Sequence, residues 1–433
     1  MKKIRRKMAN EMDDRRENSS EFSGCWILAD SQEFIRRTFA FLPAKTLGIC
    51  ARVCKAWNAE VRRVLQHREE IGWATYGRIV ATRTVVETRD LLGPFGVCLN
   101  ACLDTIGSLP HLTIMFSECT TFESFQLLPP WDTYVDSDSD GEETTFSTIK
   151  GALQDAVKDV CSRLPTGCSL VYVNADGSMG CQSDLSPAGD SEGNLGTSCV
   201  LLPTMDGVTI DCQQHYPNTL TPSAAKAYIK SHRMPADTKC ILVICTGGQH
   251  GRRFTEILQR DFHDEYGTMP VIAGGIGKKL MVMGDLSNPV RNDKLPSCLT
   301  VAFSGPNVKA ASVVLDHSIS SKDKARKKIL ELKKAGLSEK RSLAFIFSCV
   351  GRGQHFYEEA DVESGVFHEI FPSTPLLGFF GGGEYGCDNL TLGKVVRDDT
   401  DDSSDTCGKR KEQTMLQSLD KSYTCVVCLL SFS

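Results

Sequence analysis

The residues with the clearest chemical potential lie in two glycine-rich loops. In the first, Phe347–Gly353 (FSCVGRG), Cys349 stands three residues before Arg352. In the second, Leu377–Gly386, three glycines precede an acidic residue. Glycines let backbone amides approach a ligand closely, and amides at a strand end suit a carboxylate or a phosphate. The sequence therefore predicts a substrate or ligand pocket formed by Cys349, Gly351, Arg352, Gly353, Gly381, Gly382, Gly383 and Glu384.

The chemistry of this pocket has two readings. Arg352 could pair with an anionic group of a ligand while Glu384 accepts from a donor, or the two could pair with each other and simply fix the loops. The glycines could equally serve tight turns between packed elements. Neither loop is a P-loop, because no Gly-Lys-Ser/Thr follows, and neither matches a dinucleotide-binding fingerprint.

Cys349 is the candidate reactive thiol, and no catalytic residues are predicted. A nearby cation and loop amides could lower its pKa, although most cysteines in apolar strands are inert. Cys–His catalysis is not expected, since the sequence places no third orienting group. Cys425 and Cys428 have the spacing of half a zinc site, but strand alternation explains both and no second pair lies near. No metal site and no cofactor is therefore predicted.

Both loops directly follow apolar runs, which are typical of strands covered on two faces. Five such runs are expected to be strands: residues 112–116, 169–173, 240–245, 270–273 and 342–347. Residues 299–304 and 312–315 flank Gly305-Pro306 and predict a hairpin, while Ser321–Ala335 predicts a helix that ends at Gly336. If the two strands before the loops are parallel neighbours, their carboxyl ends open on one edge of the sheet. We find no internal repeat in the sequence.

Before this region, residues 25–67 predict three short helices. Ile35, Phe39 and Leu42 fall on one helical face that stops at Pro43, and a later helix places Trp57 on its apolar stripe. About forty residues bury too little surface to be robustly stable alone. The predicted fold class is α+β, a small three-helix unit followed by a larger region with mixed β-sheets and flanking helices.

Composition bounds the class of protein. The chain has 433 residues, of which 41% are hydrophobic and 24% charged, enough for two or three domains with sizeable cores. No stretch approaches the roughly 18 apolar residues of a membrane helix, and the basic start lacks the apolar segment of a secretory signal. The 19 cysteines are scattered, which indicates reduced thiols of a nuclear or cytosolic protein. We expect no membrane and no nucleic-acid partner, because the body is nearly neutral.

Charge runs set the expected boundaries. Residues 1–21 form a basic tail expected to be disordered, whose Lys2–Lys7 cluster is either a nuclear import signal or an ordinary flexible tail. The acidic runs at 136–143 and 398–405 predict two disordered loops, and the second loop is expected to extend to residue 412. An apolar segment at 423–430 predicts a final strand. The larger region is divided into 68–296 and 297–433.

Two sets of motifs resemble known families. Phe41-Leu-Pro-Ala-Lys-Thr-Leu47, followed by Ala51-Arg-Val-Cys-Lys-Ala-Trp57, resembles the F-box, over residues 22–67. Leu28-Ala-Asp30 departs from the usual Leu-Pro that opens the first helix of that family. Ser348–Gly353, Pro372–Glu384 and the Gly386-Cys-Asp388 step resemble the FIST domain. The chain is thus similar to proteins that join an F-box to N- and C-terminal FIST regions.

The resemblance implies a non-catalytic substrate receptor of a Skp–cullin–F-box (SCF) ubiquitin ligase. Its partners would be the Skp adaptor, the cullin–RING scaffold and protein substrates, with transcription and chromatin regulators as the expected targets in the nucleus and cytoplasm. The alternative is a sensor whose FIST region binds a small, amino-acid-like ligand. The F-box residues expected to bind the adaptor are Ile35, Phe39, Leu42, Pro43, Leu47, Val53, Cys54 and Trp57.

Overall fold

A computed structural model describes most of the chain after residue 31. The described ranges are 32–79, 88–118, 142–186, 189–192, 195–216, 234–284, 295–390 and 418–433, with a few positions between 223 and 230. The chain divides into two compact units. One contains residues up to Glu70 and Leu103–Leu109, and the other contains Ile71–Cys102 and Pro110–Ser433.

The first unit has the three short helices that the sequence predicts. They are α1 (Gln32–Phe39), α2 (Ala44–Cys50) and α3 (Lys55–Gln66). Ile35, Phe39, Leu47 and Val61 form its buried core, and the rings of Phe39 and Trp57 meet edge to face at 5.2 Å between centroids. Such an aromatic contact adds to the area that the rings bury.

Arg68 fixes the end of α1. Its guanidinium donates to the carbonyl oxygens of Phe39, Ala40 and Leu42, and also to that of Gly107. The last carbonyls of a helix have no partner within the helix, so these charge-assisted bonds supply the missing donors. One side chain therefore holds the turn between α1 and α2.

The second unit is built on β-sheets with flanking helices, an α+β fold as predicted. Its strands are β1 (Gly72–Ile79), β2 (Pro110–Glu118), β3 (Ser169–Asn174), β4 (Gly177–Met179), β5 (Leu195–Pro203), β6 (Thr209–His215), β7 (Thr238–Cys245), β8 (Val271–Ile276), β9 (Lys279–Met283), β10 (Cys298–Ser304), β11 (Val308–Leu315), β12 (Ser342–Cys349), β13 (Leu376–Gly381), β14 (Glu384–Gly386), β15 (Asp420–Lys421) and β16 (Cys425–Phe432). Its helices are α4 (Thr88–Thr105, whose last residues belong to the first unit), α5 (Glu142–Arg163), α6 (Gly248–Tyr266), α7 (Lys322–Leu330), α8 (Gln354–Tyr357) and α9 (Val362–Ile370).

The three sheets share one strand order. They run β1-β5-β2-β3-β9, then β6-β10-β7-β8-β14 with β15 added at the edge, and β11-β16-β12-β13-β4. In each sheet the third and fourth strands are parallel and the other pairs are antiparallel. Each parallel pair is joined by a crossover that contains a helix: α5, α6 or α9. The second unit is therefore a threefold structural repeat, although its sequence shows none.

The repeats interlock through the short strand that comes directly after β3, β8 or β13. β4, β9 and β14 each pair with a strand of another repeat, namely β13, β3 and β8. Backbone bonds close the same cycle: Asp176 N–H donates to Phe380 O at 2.9 Å, Lys278 N–H to Asn174 O at 2.7 Å, and Gly382 N–H to Ile276 O at 3.0 Å. The carboxyl ends of β3, β8 and β13 thus meet one another.

The strand pairing contradicts the predicted hairpin. β10 pairs with β6 and β7, whereas β11 pairs with β16 in a different sheet. The turn at Gly305, whose φ is +115°, therefore carries the chain from one repeat to the next. The hairpin prediction is wrong because Gly and Pro residues indicate where the chain changes direction, but they do not indicate which strand the next segment pairs with.

Other expectations have simple outcomes. The five apolar runs lie in strands, except that β8 begins one residue after Pro270. The helix expected at Ser321–Ala335 is α7, continued by a 3₁₀ turn at Glu331–Ala335, with Gly336 at φ +63°. The final strand is Cys425–Phe432, which begins and ends two residues later than the segment expected at 423–430. Glu142 and Glu143 of the acidic run begin α5. Residues 1–21, 136–141 and 398–412 lie outside the described residues.

Candidate functional site

The two glycine loops leave the same edge of one sheet. β12 and β13 are parallel neighbours, and their last residues, Cys349 and Gly381, lie opposite each other. After Cys349 the chain makes a 3₁₀ turn, Val350–Arg352, and then forms the single turn of α8. This is the edge at which α/β sheets usually bind ligands.

Arg352 lies inside the protein, with no exposed surface. Its Nε donates to Glu363 Oε1 at 2.8 Å, Nη1 to the carbonyl oxygens of Asp316 and Tyr423, and Nη2 to Ile319 O and the Tyr357 hydroxyl. All five N–H donors of the guanidinium are used. The reading in which Arg352 binds an anionic ligand therefore lacks a free donor, and so does its pairing with Glu384.

Glu363 is the partner that the sequence did not indicate. It lies in the first turn of α9, is 4% exposed, and accepts from Ser348 Oγ and the Tyr357 hydroxyl as well as from Arg352. Burial, and then the Glu363 charge, raises the pKa of Tyr357, so the phenol stays neutral. This ion pair joins the end of β12 to α9 and fixes the first loop.

Glu384, in the second loop, has a different environment. It is 1% exposed, and its Oε2 accepts from Thr424 Oγ1 at 2.8 Å and from Thr424 N at 3.3 Å. Its Oε1 has no hydrogen-bond partner among the described residues. Burial raises the pKa of Glu384 to about 8, against the lowering effect of the Thr424 bonds. The side chain is therefore mainly a neutral carboxylic acid at pH 7.

Cys349 is not an activated thiol in this setting. It is partly buried, and burial together with the nearby Glu384 raises its pKa, while Arg352 lowers it only weakly. The expectation of a lowered pKa is corrected for this reason: the guanidinium that was to stabilise the thiolate is neutralised by Glu363.

A cavity of about 430 Å³ opens beside the first loop. Arg352 and Gly353 line it, but Gly381, Gly382, Gly383 and Glu384 do not. Within the described chain, the rest of the lining comes from Val350, from Phe380 of β13, from the residues before β5 and from the segment that runs from α8 to the start of α9. Its polar members include Asp190, Glu192, Tyr357, Asp361 and Glu363. The two loops thus share a sheet edge, and the second loop contributes Phe380 to this cavity. The prediction that the eight loop residues bind a ligand stays a prediction.

Four carboxyl groups give this cavity an acidic lining. Asp361 Oδ1 accepts from Asp190 N at 2.7 Å, and Asp190 Oδ2 accepts from Ser364 Oγ at 2.9 Å. Burial, and then the charge of Asp361, raises the pKa of Asp190 to about 8. Glu192 Oε2 accepts from Gln354 N at 2.7 Å, an approach that only a glycine at 353 permits, because an added Cβ would lie 1.6 Å from that oxygen. Sequence reasoning missed Asp190 and Glu192, since the residues that they contact lie 162–174 positions later in the chain.

The predicted F-box residues divide between core and surface. Ile35, Phe39 and Leu47 are buried, Leu42, Pro43 and Trp57 are partly buried, and Val53 and Cys54 are exposed. Three further apolar side chains, Phe34, Phe41 and Ile49, are exposed by 52%, 87% and 65%. Phe34 and Ile49 lie outside the narrow apolar stripes of α1 and α2, and Phe41 lies in the turn between these helices.

The described residues contain neither a candidate metal centre nor a candidate membrane span. No group of three or more His, Cys, Asp and Glu side chains there could hold a metal ion. None of the described helices combines the length and apolar character needed to cross a membrane.

Comparison with known proteins supports the two-part resemblance. Residues 300–387 match the FIST C domain, which places the β12 and β13 loops inside that match. The chain is similar to F-box only protein 22 from Pongo abelii, 26% identical over 393 residues that cover 88% of this chain and 91% of that protein. It is 27% identical to F-box only protein 22 from Homo sapiens over 382 residues, covering 86% and 88%. The predicted similarity to proteins that combine an F-box with a FIST region is confirmed.

Solved structures add little. A cyanuric acid hydrolase from A. caulinodans covers 84% of this chain and 99% of its own, but with 8% identity and a TM-score of 0.31. That likeness is too weak to support an argument about fold or activity.

Proposed function

We propose that this protein is the substrate-recognition subunit of an SCF E3 ubiquitin ligase. The similarity to F-box only protein 22 covers 86–88% of the chain, which supports this proposal. In this proposal the first unit docks the Skp adaptor, and the second unit captures the protein target. The targets proposed from the resemblance are transcription and chromatin regulators, met in the nucleus and cytoplasm.

The observation that carries the proposal is the exposed apolar surface of the first unit. Phe34, Phe41, Ile49 and Val53 are 52%, 87%, 65% and 63% exposed, all within a segment of twenty residues. We assign these side chains to the surface that binds the adaptor, because their burial against a partner would remove them from water. The core beneath, with Phe39 against Trp57, holds these side chains in place.

The proposed mechanism is proximity. A receptor that binds both adaptor and target raises the effective concentration of the target's lysines near a ubiquitin-charged enzyme. The chain itself would supply no nucleophile to ubiquitin transfer, so its role is positioning rather than catalysis.

The experiment compares two sets of surface substitutions in the full chain. Phe41→Ser with Ile49→Ser removes two exposed apolar side chains from the first unit, and Val97→Ser removes one that is 69% exposed in the second unit. Surface changes of this kind usually alter stability by less than about 0.5 kcal/mol, so all variants should fold. The double variant should lose co-purification with Skp and cullin, whereas Val97→Ser should retain it.

Retention of Skp by a folded Phe41→Ser/Ile49→Ser variant at the level of the unchanged protein would overturn the proposal. A loss of Skp by Val97→Ser as well would assign the effect to general instability, which circular dichroism would reveal.

A second candidate, a small-ligand sensor, is favoured by the cavity beside Arg352. Its volume of about 430 Å³ falls in the range of small-molecule sites. Because Asp190, Glu192, Asp361 and Glu363 face it and Arg352 is already paired, the lining favours a ligand with a net positive charge. Thermal-shift assays with arginine and with glutamate at matched ionic strength test this: only arginine should stabilise the protein, and Asp361→Asn should abolish the shift.

A further inference from the structure

Two buried thiols outside the candidate site face each other across neighbouring strands. Cys245, the last residue of β7, lies opposite Cys298, the first residue of β10. The Cys245 S–H donates to Cys298 Sγ with 2.8 Å between the sulfurs, and neither residue is exposed. For comparison, the sulfurs of Cys240 and Cys428 are 3.6 Å apart.

The hydrogen-bond pattern places these cysteines at a position suited to a disulfide. In the adjacent pair, Thr246 N–H donates to Ser297 O at 2.9 Å, so Cys245 and Cys298 occupy the non-hydrogen-bonded position of the ladder. At such positions the Cα atoms are about 4.5 Å apart, at the short end of the range of roughly 4.4–6.8 Å that disulfides span. The sulfurs need to approach by only about 0.8 Å to reach the bond length of about 2.05 Å.

Cys245 occupies the position in its repeat that Cys349 occupies in the third repeat. Cys245 lies opposite Ile276 of β8 just as Cys349 lies opposite Gly381 of β13, so the two cysteines occupy equivalent strand ends. After Cys245 the chain begins α6 at Gly248, and an added Cβ at Gly251, in the first turn of that helix, would lie 2.7 Å from Cys245 Sγ. Little covers the turn before α6, since an added Cβ at Gly247 would meet nothing within 4 Å.

We propose that Cys245 and Cys298 form a redox-active dithiol that a small peroxide oxidises to an intramolecular disulfide. The Cys245 thiolate attacks one peroxide oxygen and displaces hydroxide, which gives a sulfenic acid and, after protonation, one water. Cys298 Sγ then attacks the Cys245 sulfur and expels a second water as the S–S bond forms. Two thiols lose two electrons and two protons, hydrogen peroxide is reduced to two waters, and a dithiol reductant reverses the step.

Burial selects the oxidant. Burial raises the pKa of the Cys298 thiol well above its usual value, with the Cys245 hydrogen bond adding to the effect, so Cys298 stays a thiol until Cys245 has been oxidised. Because neither residue is exposed, we expect a small peroxide to reach the pair and the larger oxidised glutathione not to reach it. The cross-strand bond joins residues that are 53 apart in sequence. It therefore fixes the β7–β10 end of the second sheet without unfolding it.

The test uses the full-length protein, reduced and then freed of reductant. It is treated with hydrogen peroxide or with oxidised glutathione, denatured, alkylated, digested and examined by mass spectrometry without reduction. Peroxide should yield a peptide pair linked through Cys245 and Cys298, two hydrogens lighter than the reduced pair and absent after dithiothreitol. The same treatment should raise Tm by several degrees, because the link restricts the unfolded chain. Oxidised glutathione should yield at least tenfold less of the linked pair in the same time.

Single variants check the order of events. Cys298→Ser should trap Cys245 as a sulfenic acid that dimedone captures, and Cys240→Ser serves as a buried control that leaves the Cys245–Cys298 link intact. The proposal is overturned if both thiols remain alkylatable after peroxide treatment of the unchanged protein, or if Cys240–Cys428 links first. The unchanged protein decides the question even if the serine variants fail to fold.

Discussion

Arg352 offers the sharpest test of how the candidate site is held together. Replacing it with Met keeps most of the side-chain volume but removes all five hydrogen bonds. Glu363, 4% exposed, would then be a buried carboxylate with only Ser348 and Tyr357 as donors. Breaking a buried ion pair by removing one partner typically costs about 3–5 kcal/mol. We therefore expect Arg352→Met to lower the free energy of unfolding of the second unit by that amount.

The assay is urea denaturation followed by circular dichroism at pH 7, with two companion variants. Lys322→Met breaks an exposed ion pair with Glu359, whose side chains are 39% and 52% exposed, and should cost less than about 1 kcal/mol. Arg352→Met combined with Glu363→Gln removes both charges, so it should recover a large part of the loss. If Arg352→Met costs no more than Lys322→Met, the ion pair does not hold the loop and our account of the site is wrong.

Two further predictions concern the second loop and its neighbour. Because the pKa of Glu384 is raised from 4.5 to about 8, the folded state keeps a proton that the unfolded state loses, so stability should fall between these pH values. Glu384→Gln should remove a slope of up to about 1.4 kcal/mol per pH unit in urea denaturations at pH 5, 6, 7 and 8, and an unchanged slope would refute the assignment. Cys349, partly buried with a raised pKa, should be alkylated by iodoacetamide more slowly than the exposed Cys54 but faster than the fully buried Cys240, as mass spectrometry of a time course would show. Labelling of Cys349 as fast as Cys54 would contradict the raised pKa.

The short-range features of this protein are well predicted by its sequence. The apolar runs became strands, Gly336 ends the helix that begins after Ser321, and the three helices of the first unit form around Leu47 and Trp57. Each of these depends on periodicity or on a terminator within a few residues, and local backbone physics determines the outcome.

The pairing of strands that are distant in the chain could not be predicted from the sequence. The apolar runs of β7 and β12 look alike, and neither run indicates its partners. Each lies parallel to the strand after its crossover, while β7 is antiparallel to β10 and β12 is antiparallel to β16. Three sheets with the same strand order arise from residues that show no repeat, because many apolar sequences satisfy the same strand environment.

The candidate site shows the same division most clearly. The sequence by itself determined that Cys349, Arg352 and the glycines follow a strand, since these residues are neighbours in the chain. Only the tertiary structure decided that Arg352 pairs with Glu363, and that Cys245 faces Cys298 across two strands. A guanidinium or a thiol takes its chemistry from the charges and the burial around it, and those are contributed by residues that only folding brings near.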